Sequence, residues 1–92
     1  LVFKVGGKIF LLLALDEFPP AFNVKCDPDQ ALELREQYPF VKPGYHMNKK
    51  HWNTVTCDGS APIKLIKEWI DHSYDCVVAS LPQKLKKELE GL

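Results

Sequence analysis

The chain predicts an α+β fold: an antiparallel sheet of about five strands in one layer, with helices packed on one face. Three observations predict it. Short runs of alternating or β-branched residues come first and in the middle, separated by tight-turn pairs such as Gly6-Gly7 and Asp58-Gly59. Residues 27–38 and 60–81 instead carry apolar side chains at three- and four-residue steps behind Asp or Ser and Pro. The order is β-β-β-α-β-β-α-α, with helices grouped rather than alternating with single strands, which argues against a parallel sheet.

Residues 1–5 and 9–15 read as a hairpin, because Gly6-Gly7 supplies the positive φ its turn needs. The second strand, IFLLLAL, is apolar throughout and is expected to be covered on both faces. Phe22-Asn-Val-Lys-Cys26 alternates, placing Phe22, Val24 and Cys26 inside and Asn23 and Lys25 in water. Asp27, Pro28 and Gln30 form a capping-box pattern for a helix with Ala31, Leu34 and Tyr38 on its inner face. Pro39 ends that helix, and residues 40–47 are extended and broken at Pro43-Gly44. Trp52 to Cys57 is a strand, and Ser60 is placed to cap the longest helix. That helix has Ile63, Ile66, Ile70, Tyr74, Val77 and Leu81 as its apolar stripe. Ser80, Pro82 and Gln83 open a last helix with Leu85 and Leu89 inside and Lys84, Lys86 and Lys87 outside.

Ninety-two residues make one domain, spanning 1–92. Leu1-Val2-Phe3 has no initiator Met and reads as the middle of a strand, so an N-terminal segment is expected to be missing ahead of it. Twelve basic and twelve acidic side chains cancel, so nucleic-acid binding would have to come from uneven distribution of charge. Cys26, Cys57 and Cys76 are odd in number and far apart, without zinc spacing, which favours reduced thiols inside a cell. The apolar run 9–15 is too short to span a bilayer, so no membrane association is expected.

The stretch 45–60, YHMNKKHWNTVTCDGS, concentrates polar side chains ahead of a rigid strand. Lys42, Lys49 and Lys50 can neutralise phosphates, Asn48 can bond base edges or phosphate oxygens, and His46 and His51 add cationic or hydrogen-bonding groups. Trp52, if exposed, could stack on a base. A solvated turn with Trp52 in the core is the alternative, in which Asn48 and His51 bond backbone groups and hold the turn. Catalysis by Asp71-His72-Ser73 is disfavoured, because helix neighbours point about 100° apart and cannot converge on one atom; polar helix surface, with Ser73 tolerated inside, is the expected reading. No nucleophile elbow, P-loop, dinucleotide fingerprint or metalloprotease motif occurs, so no enzyme, cofactor or metal is expected. His46 and His51 with Asp58 lack the spacing of a metal site. Arg35 sits among Asp29, Glu33 and Glu36 and is expected to pair with them.

The run Pro43-Gly44-Tyr45-His46-Met47-Asn48-Lys49-Lys50-His51-Trp52-Asn53-Thr54-Val55 resembles the MmcQ/YjbR family. So do Asp58-Gly59-Ser60, Ile70-Asp71-His72-Ser73-Tyr74-Asp75 with Leu81-Pro82, and Phe22-Asn23-Val24-Lys25-Cys26-Asp27-Pro28. The resemblance covers essentially the whole chain. It implies a small bacterial cytoplasmic protein described as DNA-binding, with a frataxin-like or secretion-chaperone-like two-layer fold that begins with a helix. The acidic ridge that frataxins use for iron has no counterpart here, so iron binding is not carried over. The function expected is a non-enzymatic domain that binds DNA weakly and salt-sensitively through Lys42, His46, Asn48, Lys49, Lys50, His51 and Trp52. The competing expectation is a protein-interaction module or homodimer using the sheet face or edge, with the H-x-N-K-x-H-W motif structural.

Overall fold

A computed structural model describes residues 1–14, 16, 18–44 and 47–90, except the side chain of residue 90. Its elements are β1 (Val2–Val5), β2 (Lys8–Ala14), β3 (Ala21–Lys25), α1 (Pro28–Gln37), β4 (Val41–Pro43), β5 (Trp52–Thr56), α2 (Ile63–Ala79) and α3 (Gln83–Glu90). The order matches the sequence reading element for element. All neighbouring strands pair antiparallel, in the order β1-β2-β3-β5-β4.

Register explains the core. Leu13, Phe22, Val55 and Val41 lie opposite one another across four strands, forming one row. Leu11, Val24 and Asn53 form the next. Side chains alternate faces along a strand, so both rows point the same way. On that face pack Leu34 from α1, Tyr38 just past its end, and Leu65, Ile66, Trp69 and Ile70 from α2. α1 lies over β4 and β5, while α2 lies over β1, β2 and β3. Tyr38, Phe40 and Trp69 meet ring to ring, with Tyr38 and Trp69 edge-on at 5.4 Å. They fill the wedge between the helices.

Turn chemistry behaves as the residues dictate. Gly6 and Gly7 take φ of 57° and 81°, as the hairpin turn requires. Pro28 occupies the first turn of α1. Asp27 sits at the cap position, but its side chain makes no cap bond; the capping box with Gln30 is therefore absent. Only the Asp27 carbonyl serves the helix, accepting the Ala31 N–H at 2.8 Å.

Several expected placements differ. α2 starts after Pro62 rather than at Ser60 and has no side-chain cap; Ser60 N–H instead donates to Asp58 Oδ1 at 2.9 Å in a side-chain turn. Ser80 ends α2 instead of starting α3; its hydroxyl donates to the Val77 carbonyl at 2.7 Å. The inner stripe of α2 is Ile66, Trp69, Ser73 and Val77, whereas Ile63 and Tyr74 are exposed. Lys86 is half-buried, not fully outside. Asn23 is buried, on the sheet face away from α1 and α2, where it accepts the Thr54 hydroxyl at 2.5 Å across the ladder. On β2 only Leu11 is fully buried; residues 9, 10 and 12–14 are half-buried, so the expected double coverage is incomplete within the described residues. At the β1 edge Leu1, Val2 and Phe3 are exposed.

Candidate functional site

The turn entering β5 gathers most of the residues singled out in the sequence. Asn48 organises it. Its carbonyl accepts the N–H groups of His51 and Trp52 at 3.2 and 3.0 Å, and its side-chain Oδ1 accepts the Lys50 N–H at 2.9 Å. This is the local bonding for which Asn is selected in turns. The His51 carbonyl accepts the Cys26 N–H at 2.8 Å, which fastens the turn to β3. The Trp52 carbonyl accepts the Gly44 N–H at 2.7 Å, which fastens it to the segment after β4. Gly44 is required there: a Cβ at that position would stand 2.6 Å from Trp52 Cβ and 2.9 Å from its carbonyl oxygen.

Trp52 itself is only 8% exposed. Its ring offers no open face to a base, so stacking is removed from its candidate roles. Asn48 likewise has its acceptor committed to the turn. Lys49 and Lys50 are exposed, and His51 is half-buried. Lys42 is exposed on β4, opposite Thr54 of β5. His46 lies outside the described residues.

A residue that the sequence reading assigned elsewhere supports this turn from behind. Arg35 does not bond the carboxylates of its own helix. Its Nε donates to Asn53 Oδ1 at 2.6 Å, and one Nη donates to the Trp52 carbonyl at 3.2 Å and to the Lys49 carbonyl. Asn53, 1% exposed, passes the connection on by donating to the Ala31 carbonyl at 3.3 Å. The physical reason is desolvation. A buried Asn and inward carbonyls need donors, whereas surface carboxylates are already satisfied by water. Arg35 and Asn53 lie 18 residues apart, so no local sequence signal joins them.

The cleft between α1 and the turn is lined by Pro28, Asp29, Leu32, Arg35, Lys49 and Lys50. It is cationic on the turn side and apolar at Leu32, with Asp29 as its one acidic lining group. The interior cavity between α1, α2 and the sheet is about 10 Å³, room for no more than one water molecule.

The other candidate chemistry does not assemble. Asp71 is exposed, His72 Nε2 lies 3.4 Å from Cys76 Sγ, and Ser73 is buried against the sheet. Burial raises the thiols of Cys26, to about 11, and of Cys57 and Cys76, so none is an activated nucleophile. Among the described residues no three His, Cys, Asp or Glu side chains come together to share a metal ion. Asp58 is engaged by the Ser60 N–H, which holds its carboxyl below the usual range. Among the described residues no helix is long and apolar enough to cross a membrane.

Comparison with known proteins places these residues in a family. The uncharacterised proteins YbdF of Escherichia coli O157:H7 and YjbR of Escherichia coli strain K12 are 41% and 40% identical over 88 and 89 residues. The alignments cover 96% and 97% of this chain and 72% and 75% of theirs. Among solved structures, the Deinococcus radiodurans protein DR2400, with a DUF419 domain, superimposes with a TM-score of 0.90 at 39% identity, over 97% of this chain and 69% of that one. A Pseudomonas syringae protein superimposes with a TM-score of 0.67 at 31% identity, over 78% and 71%. The YjbR family model matches residues 1–76, and with it the fold, the turn at Asn48 and the buried Trp52 find their place: the chain belongs to the YjbR family.

Proposed function

We propose that this chain is a non-enzymatic DNA-binding domain of the reducing cytoplasm, contacting phosphates through Lys42, Lys49 and Lys50, with His46 and His51 as further phosphate partners. The observation that carries the reading is the pairing of Lys49 and Lys50, both exposed, on a turn whose backbone is tied to β3, β4 and α1. A fixed backbone lowers the entropy that two long side chains must surrender on binding. The contacts are few. Trp52 and Asn48, which the sequence offered as base readers, are spent on the fold, so the binding is to backbone phosphate and carries little sequence preference.

Three neutralised phosphates give a slope of about −2.7 in log affinity against log salt. Between about 50 and 200 mM salt that corresponds to a loss of about 40-fold. A Lys49→Ala/Lys50→Ala double variant is expected to stay folded, bind a mixed-sequence duplex more weakly, and show a slope near −0.9. A folded double variant that binds with the parent's affinity and slope would falsify the proposal.

A further inference from the structure

Arg35 belongs to α1, yet all of its hydrogen bonds described above go to β5 and the turn before it. Three acceptors, on Lys49, Trp52 and Asn53, are met by one planar guanidinium whose donors are spread in a rigid fork. An ammonium is a point donor and cannot span that set. The two carbonyls it holds flank the segment Lys50-His51, so the turn is gripped at both ends. Lys49 has its carbonyl drawn inward toward α1 while its side chain is exposed. None of the three acceptors is a carboxylate, so the guanidinium charge is not neutralised by the bonds that hold it.

We infer that Arg35 is the positioning residue of the lysine pair: it fixes the backbone from which Lys49 and Lys50 project, and it affects DNA affinity through them rather than by touching DNA. This rests on the function proposed above. The alternative roles are distinct in what they predict. A direct phosphate contact would lower affinity whether or not the lysines are present. A role confined to global stability would leave the affinity of the folded protein alone.

The test uses the full chain with Arg35→Met and Arg35→Lys, each in the parent and in the Lys49→Ala/Lys50→Ala background. Duplex affinity is read by fluorescence anisotropy, and hydrogen exchange is followed at the His51, Trp52, Val24 and Val55 amides. In the parent background Arg35→Met is expected to weaken binding roughly tenfold, the cost of re-ordering about one turn residue on binding. In the lysine-less background it is expected to have no further effect, which is the non-additivity of a residue acting through its partners. Arg35→Lys, which keeps the charge and loses the fork, is expected to fall between parent and Arg35→Met. Equal losses in both backgrounds, or full parental affinity in Arg35→Lys, would overturn the inference.

The exchange data separate its failure from that of the DNA reading. If the parent binds no duplex, or the lysine pair proves irrelevant, the DNA reading fails and with it Arg35's effect on DNA. Faster exchange at His51 and Trp52 with Val24 and Val55 unchanged would still support the clamp. Unchanged exchange at all four amides would overturn the clamp as well.

Discussion

Removing one buried hydroxyl should cost this domain a large part of its stability. Ser73, on the inner face of α2, is fully buried. Its Oγ accepts the Lys25 N–H at 2.8 Å and donates to the Phe10 carbonyl at 2.6 Å. The β2–β3 ladder runs from Ala14↔Ala21 to Leu11↔Val24, so Phe10 and Lys25 are the next pair in register. The hydroxyl stands between the two backbone groups that would otherwise bond each other. Ser73→Ala therefore strands a donor and an acceptor away from water. Each is worth about 1–3 kcal/mol, giving about 2–6 kcal/mol in total. For a chain of 92 residues that corresponds to a Tm drop of about 10–40 °C. Ser80→Ala is the control: its hydroxyl serves one carbonyl at a helix end, and its loss should cost less than about 1 kcal/mol. Urea unfolding of both variants, with amide exchange at Lys25, measures the difference. A Ser73→Ala protein within about 0.5 kcal/mol of the parent would show that the strands close and bond directly, and would refute the reasoning.

Two further outcomes follow from the same geometry. Burial holds the Cys26 thiol up to about 11 against an ordinary 9.0, so between those values the native state keeps a proton that the unfolded chain has lost. Stability from this group is intact below about pH 9 and falls as pH rises toward 11, by on the order of 2 kcal/mol; Cys26→Ala should flatten that limb of the stability–pH curve, and an unchanged slope would exclude Cys26 as its source. Gly44→Ala places a methyl group against the Trp52 backbone and should cost about 1–3 kcal/mol in thermal unfolding; parent-like stability would mean that the segment after β4 does not press on Trp52 as described.

The order of the elements was legible because their boundaries rest on local chemistry. Gly6-Gly7 makes a turn and Pro28 starts a helix whatever lies elsewhere in the chain. The polar interior was legible only in part: Ser73 could be placed inside, but not the partners that hold it there. Reading α2 by apolar residues alone selected Ile63 and Tyr74, both exposed, and passed over Trp69, because the true stripe runs through Ser73. Ser73 belongs there only because of partners 48 and 63 residues away. A stripe of three- and four-residue steps from Ile66 through Trp69 to Val77, with one small polar residue admitted, would have found it. Arg35 failed in the same way. Its neighbours in sequence are acidic, but its bonding partners lie 14 to 18 residues on.

The turn was legible as a place where polar side chains gather, and the structure divides their duties. In 47–52 polar character signals two opposite duties. Asn48 spends its polarity on the backbone and Trp52 packs away from solvent, while Lys49 and Lys50 have no structural duty for their ammonium groups in any bond described here. The division follows from side-chain length. A short amide reaches its own backbone two residues on, whereas a four-carbon stem carries its charge clear of the turn. The same division limits what the site can do. The exposed face of α1 carries Asp29, Glu33 and Glu36, and Asp29 lines the cleft with the lysines. A duplex lying along α1 would meet those carboxylates within about a Debye length of 8–10 Å, where salt does not hide them. On the proposed DNA reading, a duplex would therefore have to approach from the β4–β5 side, where Lys42 is exposed opposite Thr54, and only a few phosphates would come within reach. On the DNA reading proposed above, a neutral chain with so few exposed lysines at the turn would bind weakly, and tight, salt-insensitive binding would be incompatible with that reading.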